Sequence, residues 1–287
     1  MAWISEPFGY QYMVNAMWIA ALVGAICAFL SCFLMLKGWS LMGDALSHAI
    51  VPGVAGAWML GLPFSLGAFL SGGLAAGSML FLNQRTRLKE DTIIGLIFSA
   101  FFGIGLFMVS LNPTAVNIQT LVLGNILAIA PADIWQLGII GTLTLLILLV
   151  KWRDLMLTFF DERQARAIGL NPSALKVLFF TLLAASTVAA LQTVGAFMVI
   201  CLVVTPGATA YLLTDRFPRL LLIAVAIGSL TSFLGAWSSY YLDGATGSII
   251  VVAQTGVFLL AFFFAPKHGV LANRRRARLT QREPDHD

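Results

Sequence analysis

Asp44 and His48 stand four residues apart in GWSLMGDALSHAIVPG, early in an apolar run. On a helix that spacing sets both side chains on one face. A carboxylate oxygen and an imidazole nitrogen held together can share one divalent cation. Such a mixed donor set suits manganese, iron or zinc better than a soft, thiolate-preferring metal. The same pair at a helix end also fits a structural hydrogen bond. Inside a membrane span, however, burying both groups without a use is costly, and the balance moves to the metal reading.

Other candidates cluster around this pair. Ser47 adjoins it and is a candidate helper on the path, although serine is common in packed membrane helices. Pro52 and Gly53 are expected to bend or interrupt the helix, exposing carbonyls as further ligands. His48 is the only histidine outside the C-terminal tail, where His268 and His286 lie. Asp243, in YYLDGATGS, is a possible third ligand or an entrance carboxylate. Asp-Gly is equally an ordinary turn signal, and the sequence leaves these readings open. Asp133, after Pro131, is expected to cap a helix. Cys27, Cys32 and Cys201 all lie in apolar segments and read as packing residues.

A second constellation is polar. KWRDLMLTFFDERQARAIGLNPSALK (151–176) is the longest polar segment before the tail. DERQARAIGL has the makings of a short amphipathic helix, ended by Gly169 and Asn171-Pro172. Crossing a bilayer requires no such loop, so its expected job is to dock a cytoplasmic partner; the alternative is a mere connector. No GxxxxGK[ST] occurs, and GLNPSALK has the wrong spacing for a phosphate loop. If ATP powers this protein, another chain supplies the ATPase.

The elements that position these residues follow from composition. Of 287 residues, 59% are hydrophobic and 10% charged, with mean hydropathy +0.91. A water-soluble globule cannot hide that much apolar surface, and disorder is excluded by the same figures. The expected class is all-α and polytopic, a single membrane domain over 1–266 with a basic tail at 267–287. Nine stretches can span, near 13–36, 40–60, 63–83, 92–111, 132–150, 177–192, 194–213, 220–241 and 246–265, with eight to ten possible. The run 177–213 is too long for one span, and Gln192, Thr193 and Gly195 offer its only break. The stretch 114–130 reads as a surface or re-entrant helix.

Folding nine spans back from a cytoplasmic tail puts all 17 Lys and Arg residues inside. The expected orientation is therefore N-terminus out and C-terminus in. The net charge of +4 reflects this pattern rather than nucleic-acid binding. The tail is expected to touch anionic membrane lipid or to be simply solvated. MAWISEPFGYQYM has no basic n-region, so no removable signal peptide is expected. A membrane metalloprotease would need a catalytic set such as HExxH, which is missing. An ion-coupled secondary carrier would need no docking loop.

Together these features resemble the permease subunit of ATP-binding-cassette importers for manganese, iron and zinc, from about residue 10 to 269. GWSLMGDALSHAIVPGVAGA (38–57) is the most specific segment. FFDERQARAIGLNP (159–172), TVAALQTVGAFMVICLVVTPGATAYLL (187–213) and LDGATGSIIV (242–251) also match. The chain looks most like Gram-negative manganese/iron permeases of the bacterial inner membrane. The resemblance implies a fold related to vitamin B12 and siderophore permeases, where the segment matching the second span starts within the membrane and would set Asp44 deeper. It implies a second permease chain, identical or related, and a periplasmic metal-binding protein. It implies an ATP-binding subunit engaging Asp161, Glu162, Arg163, Arg166, Gly169, Leu170, Asn171 and Pro172. Asp44 and His48 match the positions proposed to hold the transported Mn²⁺, Fe²⁺ or Zn²⁺; no permanent cofactor is implied. Protonated imidazole offers the metal no lone pair, so acidification is expected to weaken capture.

Overall fold

The computed structural model describes residues 5–39, 41–111, 131–265 and 269, apart from the Gln192 side chain. The expectations for 114–130 and for the tail from Pro266, with His268 and His286, lie outside the described residues. Among the described residues the regular structure is helical throughout. After a 3₁₀ turn at Glu6–Gly9 come α1 (Gln11–Lys37), α2 (Met42–Ala49), α3 (Val51–Leu60), α4 (Phe64–Arg85) and α5 (Glu90–Leu111). Then follow α6 (Pro131–Phe160), α7 (Glu162–Ala167), α8 (Pro172–Val194), α9 (Ala196–Leu213), α10 (Phe217–Leu242) and α11 (Thr246–Phe264).

Eight of these helices are long and apolar enough to cross a membrane. The remaining expected span, the second (near 40–60), is present as two short helices, α2 and α3, joined at Ile50. Pro52 causes the break, because it has no N–H for the carbonyl of His48, four residues earlier. The expected division of 177–213 is also found. Gly195 adopts φ 87°, ψ 157°, a conformation open essentially to glycine alone, and separates α8 from α9.

Two boundaries differ from expectation. The fifth span was expected to end near 150, but α6 continues to Phe160. Nothing in 151–160 breaks a helix, Lys151 bridges Asp154 at 3.0 Å, and Leu155 and Phe159 are buried. At about 45 Å, thirty residues outrun a hydrocarbon core of about 30 Å, so the helix projects beyond it. Asp133 sits in the first turn of α6 rather than at its cap position, where its charge favours the helix dipole.

The buried centre is α1, flanked by α10, α9 and α6, with α8 between α6 and α4. Helices α1 and α10 run antiparallel: Tyr10 meets Tyr240 at one end and Phe33 meets Phe217 at the other. Between these ends Gly24 and Gly228 bring the two backbones together, and a Cβ on either would strike the other's carbonyl oxygen. Gly53 and Gly67 do the same for α3 and α4. Close approach through small residues is how membrane helices gain packing energy where lipid is as apolar as the side chains. The periphery carries exposed Leu60, Trp135, Val150 and Phe160, a surface suited to lipid.

Candidate metal centre and coupling cleft

Helix α2 is amphipathic to an unusual degree. Six of its eight residues are buried, and the two that are not are Asp44 and His48. Their side chains are 42% and 34% exposed, on one stripe that faces away from the core. His48 Nδ1 lies 3.1 Å from Asp44 Oδ1 and 3.0 Å from the Asp44 carbonyl oxygen. Nδ1 and Oδ1 are spaced as two donors on one cation, and the tautomer with its proton on Nε2 leaves the Nδ1 lone pair for an ion that Asp44 shares.

Two phenyl rings of α5 hold the imidazole. Phe98 and Phe102 stack nearly parallel, 5.8 Å apart, and each meets the His48 ring edge-on at 5.3 and 5.4 Å. They also fix the depth of the site. Phe98 and Phe102 lie about 12 and 18 Å along a helix of about 33 Å, counted from Glu90. The imidazole therefore sits beside the middle of a membrane-length helix, deeper than a simple span count gives.

The supporting candidates separate. Ser47 is buried on the adjoining face of α2 and its hydroxyl donates to Gly43 O at 2.8 Å. Gly53 is engaged in the backbone contact with Gly67. Of the carbonyls near the Pro52 break, that of Ala49 already accepts from Ser71 Oγ at 2.6 Å. Asp243 is the C-cap of α10 in the left-handed region, φ 47°, beyond the Tyr240 end of the bundle. No contact joins it to Asp44 or His48 among the described residues. Among the described residues no group of three or more His, Cys, Asp or Glu side chains gathers to hold a metal. One chain thus offers an ion two side-chain donors.

The second constellation is well formed. The Asp161 carboxylate caps α7, accepting from Arg163 N at 2.9 Å and Gln164 N at 3.1 Å. Gly169 at φ 86° ends it, with Leu170 N reaching back to Ala165 O. The Asn171 side chain caps α8, with Pro172 at its first position. Arg163 and Arg166 stay exposed. Glu162 receives Lys176 Nζ and Arg166 Nη2, both at 2.6 Å. Burial opposes its charge, but the two cations outweigh that and hold the carboxyl below the usual glutamate range. These groups border a polar cleft with Lys37, Asn83 and Glu90, so cationic segments distant in sequence converge at one end of the bundle.

Phe98, Phe102 and Ser71 are structural neighbours of the candidate pair and the Pro52 break that sequence reasoning missed. In a chain with 21 phenylalanines, an i, i+4 phenyl pair carries no distinctive signal.

The family model described as the ABC 3 transport family matches residues 9–265. The chain is 64% identical over 279 residues to the chelated iron transport system membrane protein YfeC of Yersinia pestis, covering 97% of this chain and 95% of that one. It is 45% identical over 276 residues to the manganese transport system membrane protein MntB of Synechocystis sp., covering 96% and 90%. Among solved structures it is similar to PsaBC from Streptococcus pneumoniae in complex with Fab, with TM-score 0.82, 33% identity and coverage of 94% and 99%. An inward-facing metal-chelate type ABC transporter shares the fold at TM-score 0.64 and 16% identity, covering 84% of each chain.

Proposed function

The chain belongs to the ABC 3 transport family, and from that premise we propose that Asp44 and His48 coordinate its cargo, a divalent manganese or iron ion, midway across the membrane. The protein is a multi-pass membrane permease, the transport subunit of an ABC importer. The relatives named above carry iron or manganese in their names, which makes zinc the weaker alternative.

One observation carries the site assignment: the only unburied residues of α2 are an ionisable pair at mid-helix depth. Lipid is a poor neighbour for such a face, so a second permease chain, identical or related, covers it. Two facing pairs supply two carboxylates and two imidazoles, enough to replace much of the ion's water shell. Delivery falls to a periplasmic metal-binding protein. The chain has no phosphate loop of its own, and a separate ATP-binding subunit docks on α7 and its capped flanks, from Asp161 to Pro172. ATP then biases the pair of permeases between outward- and inward-open states. Capture must be tight enough to load and loose enough to release. The charge pattern supports an N-terminus outside and a C-terminus in the cytoplasm. In this reading Asp243, the C-cap of α10, acts as an entrance carboxylate rather than as a ligand at mid-depth.

The test is uptake of labelled Mn, Fe and Zn by cells making the whole transporter, at matched membrane abundance. Asp44→Ala and His48→Ala each lower uptake of the preferred ion by about tenfold or more, on the scale of losing a ligand or its support. Uptake at the wild-type level in both variants would place the ion elsewhere.

A further inference from the structure

Trp39 occupies the short connection between α1 and α2, after Gly38 closes α1 in the left-handed conformation at φ 76°. It is 3% exposed, and three elements hold it. Phe180 of α8 stacks on the indole at 5.2 Å, Phe159 of α6 meets it edge-on at 5.9 Å, and its Nε1–H donates to a carboxylate oxygen of Glu90, the first residue of α5.

The origin of these contacts is what matters. Phe159 lies just before the Asp161 cap of α7. Phe180 lies one turn beyond Lys176, on the same face of α8, and Lys176 is bridged to Glu162 of α7 at 2.6 Å. Both anchors of the docking loop therefore press an aromatic ring on Trp39. On the other side Trp39 leads within a few residues to the first turn of α2, which carries Asp44. Glu90 begins the helix whose Phe98 and Phe102 hold His48. A small cavity lined by Trp39, Met42, Met79, Glu90 and Phe180 lies beside this joint.

Resting on the metal-permease reading above, we infer that Trp39 and Glu90 are positioning residues that couple movement of the α7 loop to the Asp44–His48 pair. Neither touches the ion. The indole–carboxylate bond joins the connection leading into α2 to the start of α5, so that the two elements forming the site move together when the loop is pulled.

The experiment uses the complete transporter reconstituted in lipid vesicles, measuring Mn²⁺ uptake and ATP hydrolysis in the same sample. Trp39→Phe keeps an aromatic ring and loses the donor; Glu90→Leu loses the acceptor. Each lowers Mn²⁺ moved per ATP hydrolysed by about fivefold or more, the lower end of ordinary site-to-site coupling. Glu90→Gln retains an acceptor oxygen and restores most of the ratio. The double variant Trp39→Phe/Glu90→Leu is no worse than either single one. A wild-type ratio in Trp39→Phe and Glu90→Leu overturns the inference. So does a parallel fall in uptake and hydrolysis at an unchanged ratio, which signals lost assembly rather than lost coupling. Failure of the underlying reading looks different: the wild type itself then shows no ATP-driven Mn²⁺ uptake.

Discussion

Asp44 and His48 show how a residue pair acquires chemistry from its surroundings. In water they would be an ordinary i, i+4 contact worth a few tenths of a kcal/mol. At mid-helix depth, with the rest of α2 buried, they are the groups we propose a dehydrated cation meets. The phenyl rings of α5 then matter alongside the pair, because they hold the plane of the imidazole. Phe98→Ala frees the imidazole on one side and raises the metal concentration needed for half-maximal uptake by about tenfold, as loss of outer-sphere support does at other metal sites. Phe98→Leu, which keeps bulk, has a smaller effect; equal affinity in all three proteins would contradict the clamp. At Glu162 the sign of a pH effect follows from its lowered pKa. A carboxyl held below its unfolded value contributes stability above about pH 4.3, and that contribution is lost as pH falls through the lower folded value. Intrinsic-rate-corrected hydrogen exchange of the α7 amides should therefore be flat between about pH 7 and 5. Opening of α7 within that window would show that the bridges to Lys176 and Arg166 do not hold it.

At the scale of elements, one proline lies at the α2–α3 break and another inside the continuous helix α9, and beside each a serine from a neighbouring helix bonds the backbone. Ser71 of α4 donates to Ala49 O beside the Pro52 break. In α9, which contains Pro206, Ser31 of α1 donates to Val204 O and accepts from Gly207 N. Removing such a donor leaves a buried carbonyl unsatisfied at a cost of about 1–3 kcal/mol. Ser71→Ala should lower thermal stability of the detergent-solubilised transporter by that order, with a smaller loss for Ser71→Thr. No change would mean that water or a shifted backbone replaces the bond. The sequence made the breaks legible, because Pro52 and Gly195 act locally. The α7 loop was legible for the same reason: Asp161, Gly169 and Asn171-Pro172 are caps written within a dozen residues. The serine bonds were not legible, since pairs 22 and 173 positions distant in sequence depend on tertiary packing. The end of α6 was misplaced because hydropathy marks where a bilayer ends, not where a helix does. The pairing of Asp44 with His48 was readable from their spacing, whereas the contacts of Phe98, Phe102 and Glu90 come from the fold alone.

For the whole molecule, charge sets orientation and small residues set packing. Lys37, Arg166 and Lys176 border one cleft, while Tyr10, Tyr240 and Asp243 mark the other end. Single cysteines test the predicted orientation in intact cells: Gly244→Cys labels with an impermeant maleimide from outside, and Ser173→Cys labels after the membrane is opened. The reverse pattern would invert the permease. The α1–α10 crossing is equally exposed to test, since Gly24→Leu has no room against Gly228 and should abolish stable accumulation of the chain. The central claim is that His48 nitrogen binds the transported ion. It is tested most directly by pulsed electron paramagnetic resonance of Mn²⁺ bound to the purified, complete transporter. The account predicts a ¹⁴N coupling from a ligated imidazole that disappears in His48→Ala. Bound Mn²⁺ with no nitrogen coupling, or with a coupling that survives His48→Ala, would contradict it.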